Sequence, residues 1–248
     1  MILSIAICVT ALTLELGAVL LLLRKRLWHE YPFFFTYAIW LLTANFALFV
    51  TDLCRRPIYP VVYWHIDGAD AVLRLLVVWE VFRQTFPKNS GLNRSLSKGL
   101  GIVALILLTF ACATFWGYQS DTSLRATHLA LDRSFAFVQA IMILGMMVMA
   151  RYYGVTCGRN IRGIAIGFGA WASISTANNA MLDLTSSFRP LGDYLRPVSF
   201  VFMLVVWVWA LWVYEPNPPI RESAEEDLSR WAQDWNRTIS AARTMIRP

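Results

Sequence analysis

From Ile2 to Leu23 the chain is apolar at nearly every position, with Glu15 its one charged interruption, and the run then breaks into Arg24, Lys25 and Arg26. The same alternation of a long apolar run and a short polar break recurs, marking stretches near 1–23, 33–52, 60–82, 99–117, 125–150, 163–184 and 195–214. A helix crosses a hydrocarbon core of about 30 Å with roughly 20 such residues. The pattern predicts an all-α polytopic membrane protein, with seven transmembrane helices over 1–214 and a tail over 215–248.

The tail has a different period. After the prolines of "EPNPP", Ser223 and Glu226 have capping-box spacing, and Leu228, Trp231, Trp235, Ile239 and Ala242 then recur on one helical stripe. An amphipathic helix with two tryptophans on one face needs somewhere to bury them. The inner surface of the lipid bilayer is one place. A cytoplasmic protein partner, or a second copy of the chain in a homo-oligomer, is the other, and the acidic cluster Glu222, Glu225, Glu226 and Asp227 suits a protein.

Composition agrees: 57% of the 248 residues are hydrophobic and only 15% charged, which leaves no room for a soluble catalytic domain. The first apolar run lacks a basic segment ahead of it, so it reads as a retained helix instead of a signal peptide. Arg24, Lys25, Arg26, Arg83, Lys88, Arg94, Lys98, Arg151, Arg159 and Arg162 follow the first, third and fifth stretches; only Arg55, Arg56 and Arg189 follow the second, fourth and sixth. The positive-inside rule then predicts an outside N-terminus and a cytoplasmic C-terminus. The net charge of +6 has this same origin, and its dispersal over several loops speaks against nucleic acid as a partner.

Depth makes the remaining charges informative. Entering from outside near Pro60, the third stretch carries His65, then Asp67, Asp70 and Arg74 on one helical face, with Asp70 and Arg74 spaced for an i, i+4 ion pair. Leu75 to Trp79 reads as a dry plug below them, and Glu80 as an inner-end residue serving Arg83 or the first basic loop. The fifth stretch places Arg125, His128 and Asp132 on one stripe that continues to Gln139, with Arg133 adjacent. The sixth ends in polar residues from Ser173, where Asn179 and Asp183 lie one turn apart.

A charge at the bilayer centre costs about 2.5 to 3.5 kcal/mol on insertion scales. Two arrangements offset that: the charges pair and hold helices in register, or they line a hydrated outward-facing pocket between the third, fifth, sixth and seventh helices. In such a pocket Arg74 and Arg133 would meet an anionic group, and Asp67, Asp70, Asp132 and Asp183 a cation. His65 or His128 would respond to pH. The pocket predicts a sensor or receptor-like protein that binds a small ligand or ion and signals through its tail. A proton or ion channel or transporter, with Glu15 as a further path residue, and a structural subunit of a membrane complex are the rivals.

Other chemistry is disfavoured. No HxxxH or HExxH spacing supports a metal-dependent membrane hydrolase. Lys25, Lys88 and Lys98 all fall in loops, which disfavours retinal, and no cofactor is expected. Cys8, Cys54, Cys112 and Cys157 lack metal-ligand spacing; the first three fall on the outer side, where one disulfide is geometrically feasible, but buried free thiols are the first expectation, and Cys157 is expected to be reduced.

The run "YPFFFTYAIWLLTANFALFV" followed by "RPIYPVVYWHIDGADAVLRLLVVWEVFRQTFP" resembles a family of bacterial seven-helix membrane proteins. Tyr31-Pro32, Tyr63-Trp64, Glu80 and Phe82-Arg83 carry the likeness over about the first 95 residues. A remoter likeness is to the seven-helix input domains placed before bacterial histidine kinases, although no kinase domain follows here. The resemblance implies a bacterial inner membrane and supplies no catalytic residue.

Overall fold

The computed structural model describes residues 2–54, 58–86, 121–152, 154–184, 189–215, 218, 226, 230, 233–234 and 237. Within its helices the side chains at 2–4, 60–61, 64–65, 121–134, 182–184, 189–190 and 193 stand outside the description. The described chain forms α1 (Ile2–Arg24), α2 (Pro32–Cys54), α3 (Tyr59–Thr85), α4 (Asp121–Tyr152), α5 (Arg159–Leu184) and α6 (Arg189–Trp212), with a 3-10 turn, Leu27–His29, between α1 and α2. These coincide with the first, second, third, fifth, sixth and seventh predicted stretches. The fourth, 99–117, lies outside the described residues, as do Leu228, Trp231, Trp235 and Ile239 of the tail. Glu226, Arg230, Gln233, Asp234 and Arg237 are helical and exposed, and at 100° per residue they share one face, with a Glu226–Arg230 pair at 3.4 Å.

Among the described residues four segments are long and apolar enough to cross a membrane: Ile5–Arg24, Pro32–Cys54, Phe135–Tyr152 and Tyr194–Trp212. Helices α3 and α5 fall short of that measure, and their position explains it. Large apolar side chains face outward along α1, α2, α4 and α6, whereas the described side chains of α3 contribute none and those of α5 only Met181. A helix enclosed by other helices needs no lipid-facing apolar surface, so α3 and α5 occupy the interior.

The tightest packing joins α5 to α6. A side chain on Gly163 would strike Ala210, and a Cβ on Gly167 would lie 2.5 Å from the Trp207 indole nitrogen. Small residues let the backbones approach to this distance. Trp207 is fully buried there, its ring 4.7 Å from Phe168 and 4.9 Å from Phe34. Trp207, Trp209, Trp212 and Tyr214 lie together along the last turns and just beyond the end of α6, as amphipathic rings at a membrane interface do. The structure separates them: Trp207 is core, whereas Trp209 and Trp212 are exposed, because at about 100° per residue both lie on the far side of α6 from Trp207.

Arg24, Lys25, Arg26, Arg83, Arg151, Arg159 and Arg162 gather at one end of the bundle, here the basic end, and several close helix termini there. Lys25 Nζ donates to the Leu211 carbonyl at 3.1 Å and to that of Trp212. Arg159 Nη2 donates to the Trp209 carbonyl at 3.1 Å while its guanidinium lies 4.1 Å over the Trp209 ring. The Asn160 amide, oriented to give each atom a partner, donates to the Ala210 and Val213 carbonyls. Cationic and amide donors thus satisfy the free carbonyls and negative dipole end of α6.

The opposite polarity operates at α2. That helix begins at Pro32, and the preceding Tyr31 has no side-chain oxygen suited to capping its first amides. Glu80 of α3 substitutes: Oε1 accepts from Phe33 N–H at 3.0 Å and Oε2 from Phe34 N–H at 2.7 Å. Glu80 therefore serves the α2 terminus, not the basic loop, and Arg83 is only a neighbouring charge.

Candidate functional site

The spacing of Asp70 and Arg74 on α3 produces the ion pair it predicts, with Arg74 Nε 2.8 Å from Asp70 Oδ2. Because α3 is interior, this pair faces protein. Arg74 is 2% exposed, its guanidinium lies 4.8 Å over the Trp171 ring of α5, and the Tyr37 hydroxyl of α2 hydrogen-bonds Asp70. An ion pair, a cation–π contact and a phenol hydrogen bond together offset the removal of the guanidinium from water.

A second buried acid lies nearby. Glu15 of α1 is 2% exposed, and its Oε1 accepts a hydrogen bond from Asn45 Nδ2 of α2 at 2.5 Å. Its Oε2 is buried and, among the described residues, meets no hydrogen-bond partner. Glu15 and Asp70 feel each other's charge. At this level the described side chains include buried Glu15, half-buried Asp70 and the buried cation Arg74.

Asn45 has a further role, since it also lines a cavity of about 410 Å³ at the end of the bundle away from the basic residues. Helix α1 supplies Cys8, Ala11 and Leu12 to its wall, α2 supplies Leu48, Phe49 and Asp52, α3 supplies Tyr59, and α6 supplies Tyr194, Pro197 and Phe200. The volume is in the range of small-molecule sites, and the lining is mostly apolar with a few polar groups. Glu15 follows Ala11 by one turn on α1, so the Glu15–Asn45 bond lies immediately beneath this cavity.

This cavity is a different site from the pocket expected between the third, fifth, sixth and seventh stretches, which the described residues line only in part. The cavity opens between α1, α2, α3 and α6, and the Asp70–Arg74 pair is covered by Tyr37 and Trp171. Asp67 and Asn179 are half-buried, and Asp67 has interacting neighbours. Asn178, beside Asn179, is the buried member of its pair, with Gln139 of α4 and Ser175 of α5 also buried. The side chains of His65, His128, Asp132, Arg133 and Asp183 lie outside the described residues, although their backbones are helical. Among the described residues no group of three His, Cys, Asp or Glu could hold a metal, and Cys8, Cys54 and Cys157 are free thiols, with Cys112 outside the description.

The sequence reading missed Asn45 and treated Glu15 as isolated. The available signal was that each is a strongly polar residue within an apolar stretch, at overlapping depths in adjacent helices. At the basic end, burial pushes the Tyr31 phenol well above its ordinary range, and the charges of Glu30 and Glu80 add to the effect.

Fold and cavity together define an all-helical protein with membrane-length apolar helices around a polar interior. Comparison of the chain with family models, curated proteins and solved structures returns no match.

Proposed function

We propose that this chain is a receptor-like protein of a bacterial inner membrane, with seven membrane helices, an outside N-terminus and a cytoplasmic amphipathic tail. A small ligand enters the cavity between α1, α2, α3 and α6 and shifts the packing of the interior helices, and the tail passes that shift to a partner or the membrane surface. The observation that carries this reading is the position of Asn45, at once a wall of the cavity and the donor to buried Glu15. A ligand displacing Asn45 would change the balance of Glu15 against Asp70 and Arg74, and Arg74 touches α5 through Trp171. Coupling needs a differential contact between two packings, and the path from Asn45 through Glu15, Asp70 and Arg74 to Trp171 is where this reading locates it.

The receptor reading is favoured over an ion path by the segment below Arg74. Leu75, Val77 and Val78 are buried and apolar, and Glu80 beyond them is engaged by the α2 amides.

The test uses the full chain in zwitterionic lipid nanodiscs with hexanol, hexylamine and hexanoate as probes. At least one should raise the melting temperature of the wild type, and Leu12→Trp, which fills the cavity, should remove that response. If no probe protects the wild type, or if Leu12→Trp responds equally, this cavity is not a ligand site.

A further inference from the structure

The cavity's polar groups have a consistent sign. The described side chains in its wall include Asn45, Asp52, Tyr59 and Tyr194 but no lysine, arginine or histidine. Beneath the wall, Asp70 has Arg74 at 2.8 Å, whereas among the described residues no cation pairs with Glu15. Glu15 is 2% exposed, one oxygen accepts from Asn45, and the other, Oε2, has no described partner. A buried carboxylate with one neutral donor is incompletely compensated, and a charged donor is the strongest complement to it. The apolar lining from Leu12, Leu48 and Phe49 suits a hydrocarbon body, and the aromatic faces of Tyr59 and Tyr194 favour a positive charge over a negative one.

We propose that the cavity is an organic-cation site. Its ligand is a primary alkylammonium compound, whose ammonium displaces Asn45 and donates to Glu15 beneath the wall while its hydrocarbon part lies against α1, α2 and α6. This rests on the receptor reading and names the ligand class for that same cavity. Asp52, near the mouth on α2, would favour entry of cations over anions.

The three six-carbon probes separate the two ideas, because they share a body and differ in head group. In nanodiscs, hexylamine should protect wild-type protein at about tenfold lower concentration than hexanol, and hexanoate should not protect. Glu15→Gln keeps the shape of the side chain, so it should retain the hexanol response and lose the amine preference. Equal protection by all three probes, or an amine preference that survives in Glu15→Gln, overturns the cation proposal and leaves the receptor reading intact. Should Glu15→Gln fail to fold, Glu15→Met serves as the second variant, expected to retain the hexanol response and lose the amine preference. No protection by any probe overturns both proposals.

Discussion

Glu80 and Phe34, 46 residues apart, are joined by a 2.7 Å hydrogen bond from the Phe34 amide to the buried Glu80 carboxylate. With the Phe33 amide on its other oxygen, this carboxylate closes the N-terminus of a helix whose own sequence provides no cap. The contact fixes where α2 starts relative to α3, and hence the level at which Tyr37 reaches Asp70.

Removal of that cap should therefore be costly. Glu80→Ala strips two buried amides of their acceptor and should destabilise the protein by roughly 2 to 3 kcal/mol. Glu80→Gln, which retains one carbonyl acceptor, should lose less. Equilibrium unfolding in mixed micelles measures both, and wild-type stability in Glu80→Ala would refute the cap.

The Asp70–Arg74 pair makes a non-additive prediction. Arg74→Met leaves a carboxylate facing the bundle interior without its cation and should destabilise by about 3 kcal/mol or more. Asp70→Asn with Arg74→Met removes both charges, so the double variant should be more stable than Arg74→Met by itself. A double variant whose loss equals the sum of the two singles would mean the pair does not couple.

Close helix approach can be tested by compensation. Gly163→Ala places a methyl against Ala210 and should destabilise by about 1 to 3 kcal/mol. Ala210→Gly in the same chain opens the matching space and should recover most of the loss. Absence of recovery would show that the α5–α6 contact is not the cause.

Alkaline pH should act through Tyr31. Burial and nearby carboxylates favour the neutral phenol in the folded protein, so its folded pKa lies above the unfolded one. Its contribution is then complete below about pH 10 and is lost as pH rises from there through the folded value. Melting temperature should fall above about pH 10 more steeply in the wild type than in Tyr31→Phe. Parallel curves for the two proteins would contradict this.

Much of the fold was legible because membrane crossing imposes a length and an apolar content that can be read residue by residue. The six described helices fall where the apolar runs lie, and the i, i+4 spacing of Asp70 and Arg74 already contains their pairing, since helix geometry is local. Periodicity specifies which residues share a face but not which helix that face meets. For that reason the Glu15–Asn45 bond, between residues 30 apart, and the Glu80 cap could not be read in advance. The same limit explains why the cavity between α1, α2, α3 and α6 was not legible in the sequence.

The sequence by itself determined an all-helical chain with membrane-length apolar helices, a concentration of basic residues at one end, and polar stripes on the third, fifth and sixth predicted stretches. Tertiary structure decided that the third and sixth of these are interior, that Trp207 is core while Trp209 and Trp212 are not, and that Asn45 connects a cavity to a buried acid. The physical reason is that hydropathy and helical period depend on neighbours along the chain. Burial and charge compensation depend on neighbours in space, and these exist only once the helices have packed.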